Sequence, residues 1–149
     1  MLTHRIVWVG RRARDPFLEA VADYQQRLAR YAHCDTVMVR PGTASQEARA
    51  MLGKVLPAST VVALDVQGQH RTTEELVALY RTQPRAQYTY LIGGADGFAA
   101  ELLSQVRARW SLSKLTLPHR AALAIWCEQL FRVHTVLAGE AYHREGSRQ

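Results

Sequence analysis

Residues 88–98 read YTYLIGGADGF and join a strand-forming run to a glycine-rich turn. The run from Tyr88 to Ile92 consists of aromatic, β-branched and aliphatic residues, which favour a β-strand. Gly93 and Gly94 end the run, because glycine favours turns and weakens the interior of a strand. The stretch therefore predicts a strand followed by a sharp turn.

Strands and helices alternate on both sides of this stretch. Short β-branched runs predict strands at 6–9, 36–39, 60–64, 88–92 and 115–117. Apolar residues three and four positions apart, with caps such as the Thr72–Glu75 capping box, predict helices at 16–31, 45–56, 72–80, 99–110 and 121–137. This alternation predicts an α/β fold with a mainly parallel sheet, as a single domain over residues 1–149.

The last predicted helix, 121–137, is apolar nearly all round. A helix of that kind must be covered on most of its sides, and one face of a sheet covers only one of them. We therefore expect a homodimer in which a second copy of the chain covers the rest. The alternative is a central core helix within one chain.

Several classes of protein are excluded by composition. The opening residues 1–10 lack the apolar run of a signal peptide, and no stretch is long and uncharged enough to span a membrane, so we expect a cytoplasmic protein. The two cysteines, Cys34 and Cys127, form no disulfide framework, and the six histidines show no metal-ligand spacing.

The net charge of +6 favours a polyanionic partner, because basic side chains that contact phosphates release counterions. The excess lies at the two ends of the chain. Residues 1–60 carry nine basic and five acidic groups, residues 61–99 carry three and four, and residues 100–149 carry seven and four. The middle of the chain is therefore nearly neutral.

Ligands of open α/β sheets bind outside the carboxyl ends of the strands. Three such ends carry informative residues: LDVQG (64–68), IGGADG (92–97) and SLSKLTLPH (111–119). The glycines of the second segment permit positive φ angles and close backbone approach, although an ordinary turn would show the same pattern. The third segment could bind an adenine ring through main-chain hydrogen bonds, or it could simply cross the core.

A dense polar cluster lies near the C-terminus, where Tyr142, His143, Arg144 and Glu145 are adjacent. Tails of this kind are commonly frayed and solvated. An aromatic ring, an imidazole and a guanidinium are also what a protein needs to stack on an RNA base and bind its phosphate.

In combination these segments resemble the large-subunit ribosomal RNA pseudouridine N3-methyltransferases of the SPOUT class, the RlmH family. The resemblance extends from Ile6 to Glu145 and includes the opening segment from Val9 to Tyr31. The motifs that carry it are, in order, LDVQG (64–68), YLIGGADGF (90–98), WSLSKLTLPH (110–119), EQLFR (128–132) and GEAYHRE (139–145).

The resemblance implies a SPOUT-type α/β knot: a mainly parallel sheet with helices on both faces and a C-terminal trefoil knot, assembled as a homodimer. S-adenosylmethionine would bind in the knot at the dimer interface, without a metal. Leu64 and Leu115 would sandwich the adenine, and Gly93 and Gly94 would let the backbone approach the cofactor. The implied cofactor site comprises Leu64, Gly93, Gly94, Leu112, Ser113, Lys114, Leu115, Thr116 and Leu117.

The acceptor implied by the resemblance is N3 of a pseudouridine in the helix 69 loop of 23S rRNA, in the assembled 70S ribosome. N3 carries a proton and is a poor nucleophile until that proton leaves, so a base or an anion-stabilising cation is needed. We expect His143 to act as the base or as an orienting group. Arg132 and Arg144 would stabilise the anion and bind phosphates, and Tyr142 would stack on or orient the target base.

RNA binding would involve basic residues outside this cluster. Arg11, Arg12 and Arg14 follow the first strand, although a solvated arginine cluster would look the same. Arg120 is a further candidate, because Leu123 stands where the family has Arg and Arg120 lies one helical turn earlier.

The substitution at Leu123, together with Phe131 in place of the usual Tyr, leaves two alternatives open. One is a SPOUT enzyme with another RNA target. The other is a ribosome-associated RNA-binding protein that has lost catalysis. A flavodoxin-like nucleotide module is a more distant alternative, because the loop at 10–14 lacks the hydroxyls of a phosphate site.

Overall fold

Five parallel strands form one sheet. A computed structural model describes residues 1–144, so Glu145 at the end of the GEAYHRE motif lies outside the described residues. The strands are β1 (Thr3–Val9), β2 (His33–Val39), β3 (Thr60–His70), β4 (Gln87–Ile92) and β5 (Ala108–Ser111). They lie in the sheet in the order β2-β1-β4-β3-β5. The predicted α/β architecture with a parallel sheet is confirmed.

Side-chain caps begin three of the helices where the sequence places them. Asp15 accepts a hydrogen bond from the Phe17 N–H just before the first helix, and Thr43 and Thr72 each form a capping box. None of the helices in the described part of the chain has the length and apolar character needed to cross a membrane. The helices are α1 (Pro16–Leu28), α2 (Ala44–Leu52), α3 (Thr73–Arg81), α4 (Ala100–Leu103) and α5 (His119–Leu137).

The helices cover both faces of the sheet. On one face, Ile6 and Trp8 of β1 belong to a core cluster built with α1, α3 and α5. On the other face, Val7 and Val9 pack with residues of α2 and α4. The alternation of side chains along a strand produces these two apolar layers, so the interior strands β1 and β4 carry buried side chains on both faces.

The predictions between residues 99 and 117 are wrong in part. The helix ends at Leu103 instead of Trp110, and the last strand is Ala108–Ser111 instead of 115–117. Leu102, Val106 and Trp110 repeat every four residues and therefore imitate a helical stripe. In the structure Trp110 pairs with β3 and is 4% exposed, whereas Leu115 is 73% exposed in a loop.

Helix α5 is a core helix within one chain. This was the alternative to our expectation that a second copy of the chain covers it. It packs between α1 and α3 over the sheet, and ten of its 19 residues are buried within one chain. The apolar character of α5 therefore does not require a second copy to cover it. The homodimer and the trefoil knot stay predictions.

A buried hydrogen-bonded chain of side chains joins α5 to the sheet. Tyr80 Oη and Tyr90 Oη are 2.7 Å apart, and Tyr90 Oη lies 2.9 Å from His4 Nδ1. The Nε2 atoms of His4 and His134 are also 2.9 Å apart, so one of the two imidazoles donates to the other. Burial, with a further contribution from His134, lowers the pKa of His4 to about 3, and burial lowers the pKa of His134 to about 4.

Acid should destabilise the protein through this histidine pair. Both pKa values lie below those of the unfolded chain, so the unfolded state binds more protons and stability is lost as the pH falls from about 6.5 towards 4. For His134 alone the loss amounts to roughly 3 kcal/mol. We expect His134→Gln to flatten the acid limb of a urea-unfolding series, while His33→Gln, at an exposed position, leaves the limb unchanged. An acid limb of His134→Gln that superimposes on wild type would contradict this origin.

Candidate functional site

A cavity of about 420 Å³ opens beside Leu64–Val66 in the middle of β3, at the carboxyl end of β4 and beside the loop that follows β5. Its volume is in the range of small-molecule sites, and its position is the one that ligands of parallel sheets use. The lining residues are Leu64, Asp65, Val66, Ile92, Gly93, Gly94, Ala95, Gly97, Phe98, Leu112, Ser113, Leu115, Thr116, Leu117, Pro118, His119 and Ala122. We call this cavity the strand-end pocket.

Eight of the nine residues proposed for the cofactor lie in this lining; Lys114 is the exception, and it is exposed. The resemblance did not point to Phe98, His119 or Ala122, which also contribute to the wall. His119 stacks against Trp8 at 6.1 Å between ring centroids, and burial lowers its pKa. His119 and Ala122 lie in the first turn of α5, directly after the loop that follows β5. Their position in the sequence, next to a predicted ligand loop, is the signal that could have identified them.

Two serine hydroxyls hold the loop after β5. Ser111 Oγ donates to the carbonyl of Ser113 at 3.0 Å, and Ser113 Oγ accepts from the Leu115 N–H at 2.9 Å. Within the described chain, residues 113–117 make no backbone–backbone hydrogen bond outside the regular elements. Most of their main-chain N–H and C=O groups are therefore available to a ligand.

The glycine-rich turn after β4 is packed from behind. Gly97 has φ +71° and donates its N–H to the carbonyl of Gly94, which closes the turn. A Cβ at Gly94 would lie 3.0 and 3.1 Å from the carboxylate oxygens of Glu47 and 3.1 Å from Val9. A side chain at position 94 would therefore displace Glu47 or Val9 by a few tenths of an ångström, which favours glycine there in addition to the backbone approach proposed from the sequence.

Glu47 is a residue that the sequence analysis missed. It lies in α2 and is 4% exposed; its Oε2 accepts from the Gly42 N–H at 3.0 Å, while Oε1 has no hydrogen-bond partner within residues 1–144. Buried carboxylates are normally paired, so an incompletely satisfied one beside a pocket is a candidate for contact with a cation. A glutamate in an amphipathic helix gives no signal in the sequence that it faces inward.

The structure brings together three of the proposed catalytic residues, Arg132, Tyr142 and His143. Arg132 forms an ion pair with Glu128 at 2.7 Å, and its guanidinium lies 4.9 Å from the centroid of the Tyr142 ring. Tyr142 donates its hydroxyl to the same carboxylate of Glu128 at 2.9 Å. We call Glu74, Glu128, Arg132, Tyr142 and His143 the tail cluster.

His143 is held between a cation and an anion. Arg132 Nη1 donates to its Nδ1 at 3.1 Å, since a guanidinium cannot accept, and its Nε2–H donates to Glu74 at 2.9 Å. Neither ring nitrogen is then free to take a proton, so the geometry favours the orienting role over the base. The hydrogen bond with Glu128 raises the pKa of Arg132, and burial raises the pKa of Tyr142.

The tail cluster and the strand-end pocket lie at different heights along α5. His119 begins the helix at the pocket, and Arg132 is 13 residues further on, about 20 Å at 1.5 Å per residue. Arg144 is exposed and makes no hydrogen bond among the described residues. Ala122 of the same wall is ten residues from Arg132, about 15 Å along the helix, and no residue of the tail cluster lines the pocket.

The proposed RNA-contacting arginines lie on the pocket side of the sheet. Arg11, Arg12 and Arg14 are exposed in the loop after β1. Arg120 joins this loop to α5, because it forms an ion pair with Asp15 at 3.3 Å and donates to the carbonyl of Arg11 at 3.1 Å. The loop is thereby placed next to His119 at the edge of the strand-end pocket.

Leu123 is a residue of α5, at the position where the family resemblance leads us to expect Arg. It is fully buried in the core cluster between α5 and the sheet. A side chain at this position does not line the strand-end pocket. Phe131 packs edge-on against Tyr142 at 4.8 Å and so supports the tail cluster without a hydroxyl. The suggestion that Leu123 removes a catalytic group therefore finds no support in this geometry.

Comparison with known proteins places the chain in a family. A family model described as "Predicted SPOUT methyltransferase" matches residues 2–143. The ribosomal RNA large subunit methyltransferase H of Chromohalobacter salexigens is 40% identical, with 94% of this chain and 98% of that protein covered. The protein of the same name from Polynucleobacter asymbioticus is 38% identical, with 94% and 97% covered.

A solved structure with a weaker likeness is that of a methyltransferase from Legionella pneumophila in complex with the cofactor SAM. It has a TM-score of 0.48 and 11% identity, with 87% of this chain and 65% of that chain covered. The family rests on the sequence matches, which extend over nearly the whole chain. The chain belongs to the SPOUT methyltransferases, and among them to the ribosomal RNA large subunit methyltransferase H family.

Proposed function

We propose that this protein transfers a methyl group from S-adenosylmethionine to large-subunit ribosomal RNA in the cytoplasm. The acceptor we propose is N3 of a pseudouridine in the helix 69 loop of 23S rRNA, in the assembled 70S ribosome. The observation that carries the proposal is the full-length match to the methyltransferase H family, combined with a pocket lined by the same motifs that carry the match.

The strand-end pocket fits the proposed cofactor in two respects. Leu64 and Leu115 supply apolar surfaces for the adenine, and residues 113–117 offer main-chain groups for its nitrogen atoms. S-adenosylmethionine carries cationic sulfonium and α-ammonium groups, and Asp65, the acidic lining residue, is already paired with Arg109. Glu47 lies outside the lining, against Gly94, and its buried carboxylate has one unpaired oxygen, so we propose that its charge attracts the α-ammonium from behind the glycine turn.

Removal of the Glu47 charge should weaken the binding of ligands that carry the α-ammonium group. We expect Glu47→Gln to reduce affinity for S-adenosylmethionine and S-adenosylhomocysteine by about tenfold in calorimetry, because the attraction between a buried carboxylate and the ammonium is lost. Methylthioadenosine lacks the ammonium and should bind both proteins equally.

Glu101→Gln is the matched control, since Glu101 is an exposed carboxylate that bonds to Ser45 of the same helix as Glu47. A loss of affinity for all three ligands would indicate a structural defect instead.

Acceptor activation follows from the chemistry of N3. When bound, S-adenosylmethionine supplies an electrophilic methyl group on its sulfonium, and transfer requires an in-line approach, so positioning is the main contribution of the protein. A cation beside the uracil ring stabilises the N3 anion and thereby favours transfer of its proton to water. Arg144, which has no partner among the described residues, is the group we assign to this role, with Tyr142 against the base and His143 orienting Arg132.

We assign these roles across two copies of the chain. Arg132 lies about 15 Å along α5 from Ala122 of the pocket wall, and the family resemblance implies that the cofactor site lies at a dimer interface. We therefore propose a homodimer in which the tail cluster of one protomer completes the pocket of its partner.

Two variants that are inactive alone should recover activity when they are mixed. We expect Arg132→Ala, in the tail cluster, and Leu115→Glu, at an exposed position of the pocket wall, each to lose activity. After subunit exchange, half of the dimers are mixed and contain one intact site of two, so the mixture should regain about a quarter of wild-type activity. No recovery, although mixed dimers are present by mass spectrometry, would rule out a shared site.

The activity itself is tested on ribosomes. Purified 70S particles from a deletion strain should accept one labelled methyl group, which nuclease mapping and mass spectrometry should place on N3 of a helix 69 pseudouridine. Label on another nucleotide, or on a 2′-hydroxyl, would redirect the target. No incorporation despite cofactor binding would contradict the enzymatic function.

A further inference from the structure

The side chain of Arg120 joins the first turn of α5 to the loop after β1. Its Nη1 pairs with Asp15 Oδ2 at 3.3 Å, and its Nη2 donates to the carbonyl of Arg11 at 3.1 Å. Asp15 is also the N-cap of α1, because its Oδ1 accepts from the Phe17 N–H at 2.7 Å. Arg120 thus contacts both ends of the segment 11–14, which we call the arginine loop.

The guanidinium of Arg120 is turned inward, onto its own chain. Nη1 and Nη2 each donate to an atom of the loop region, and Nε is buried. Arginine binds a phosphate best through two parallel hydrogen bonds from one edge of the guanidinium, and each such edge here includes a nitrogen that is buried or already engaged. A direct contact of Arg120 with RNA, which was expected from the sequence, therefore does not fit this geometry.

The arginine loop depends on Arg120 for its position. The residue before the loop is held by the Gly10 N–H, which donates to the carbonyl of Val39 at 3.0 Å, and Asp15 follows the loop at the start of α1. Between these two points the loop is exposed, and within residues 1–144 its one hydrogen bond is the one from Arg120. Without Arg120 the arginine loop would be held at its ends only.

The three side chains that the loop carries are available to an anion. Arg11, Arg12 and Arg14 are exposed, and none of them forms an ion pair with a carboxylate of the described residues. The adjacent carboxylate of Asp15 is engaged by Arg120 instead. Three unpaired guanidiniums on one short loop form a surface for a polyanion such as an RNA backbone.

The arginine loop is packed onto the wall of the strand-end pocket. His119, the neighbour of Arg120, lines that pocket and stacks on Trp8 at 6.1 Å between ring centroids. Trp8 in turn covers Gly10 at the start of the loop, since a Cβ at Gly10 would overlap its ring. The position of the loop relative to the cofactor pocket is therefore set by packed residues at its base and by Arg120 above it.

We propose that Asp15 and Arg120 are positioning residues for the RNA substrate. Their ion pair holds the arginine loop beside the strand-end pocket, where its guanidiniums meet phosphates that flank the target nucleotide. A loop ordered before binding loses less conformational entropy when the RNA arrives, so affinity is higher. The identity of the polyanion rests on the proposed function, whereas the ordering of the loop by the ion pair is a property of the free protein.

Asp15→Asn distinguishes positioning from direct contact by the sign of its effect. Asparagine still caps α1, but with its oxygen on the Phe17 N–H it turns an amide donor towards Arg120, so the ion pair is lost. We expect the Kd for 70S ribosomes from a deletion strain to rise about fivefold, with cofactor affinity in calorimetry unchanged. If Arg120 contacted a phosphate itself, its release and the loss of one negative charge would tighten binding. Binding that is unchanged or tighter would overturn the proposal.

Glu19→Gln is the matched control, because it removes the same charge from an exposed position in the first turn of α1. This variant should bind ribosomes at least as tightly as wild type. Arg120→Gln should weaken binding like Asp15→Asn, and the double variant should be no weaker than either single one, since all three lose the same interaction. Losses that add in the double variant would contradict a shared role.

The ion pair can also be tested without RNA. In ¹⁵N relaxation of the free protein, we expect the amide order parameters of the arginine loop to fall below about 0.6 in Asp15→Asn and Arg120→Gln, and to stay at the wild-type value in Glu19→Gln. Unchanged order in the first two variants would overturn the proposal. A wild-type protein that binds ribosomes with this dependence on Asp15, but methylates none, would refute only the enzymatic function.

Discussion

The burial of α5 between α1, α3 and the sheet determines where the functional groups lie. Apolar contacts hold the helix along its length, and the hydrogen bond between His134 and His4 ties it to β1. Its first turn forms part of the strand-end pocket, and its second half carries Glu128 and Arg132. Because a packed helix is a rigid spacer, the distance between the two regions is set by its length. Separation of the pocket from the tail cluster is thus a property of the core.

The architecture could be predicted from the sequence where local and tertiary preferences agree. β-branched runs and capping residues such as Asp15 and Thr72 located the first four strands and three of the helix starts. Between residues 99 and 117 the two preferences conflict. Trp110 continues a helical stripe but is held in β5 by its pairing with β3, and periodicity cannot register an interaction with a strand about 45 residues earlier.

The candidate site was predictable to the extent that it is written in contiguous motifs. The glycine turn and the loop after β5 carry both the resemblance and the lining of the strand-end pocket. Glu47 was missed, because its importance lies in a hydrogen-bond partner that its Oε1 lacks. An unsatisfied atom is defined by everything packed around it, so it is visible only in three dimensions. The same holds for the position of Leu123 in the core.

The interior position of β1, between β2 and β4, has a consequence for the order of folding. His4 on this strand bonds to Tyr90, 86 positions later, and to His134, 130 positions later. The N-terminal strand thus acquires one neighbour and its covering helix only when the far end of the chain is available. Contacts of such sequence separation form slowly and leave apolar surface open in partly made chains. A chain that ends before α5 therefore leaves Ile6 and Trp8 of β1 without one of the helices that cover them.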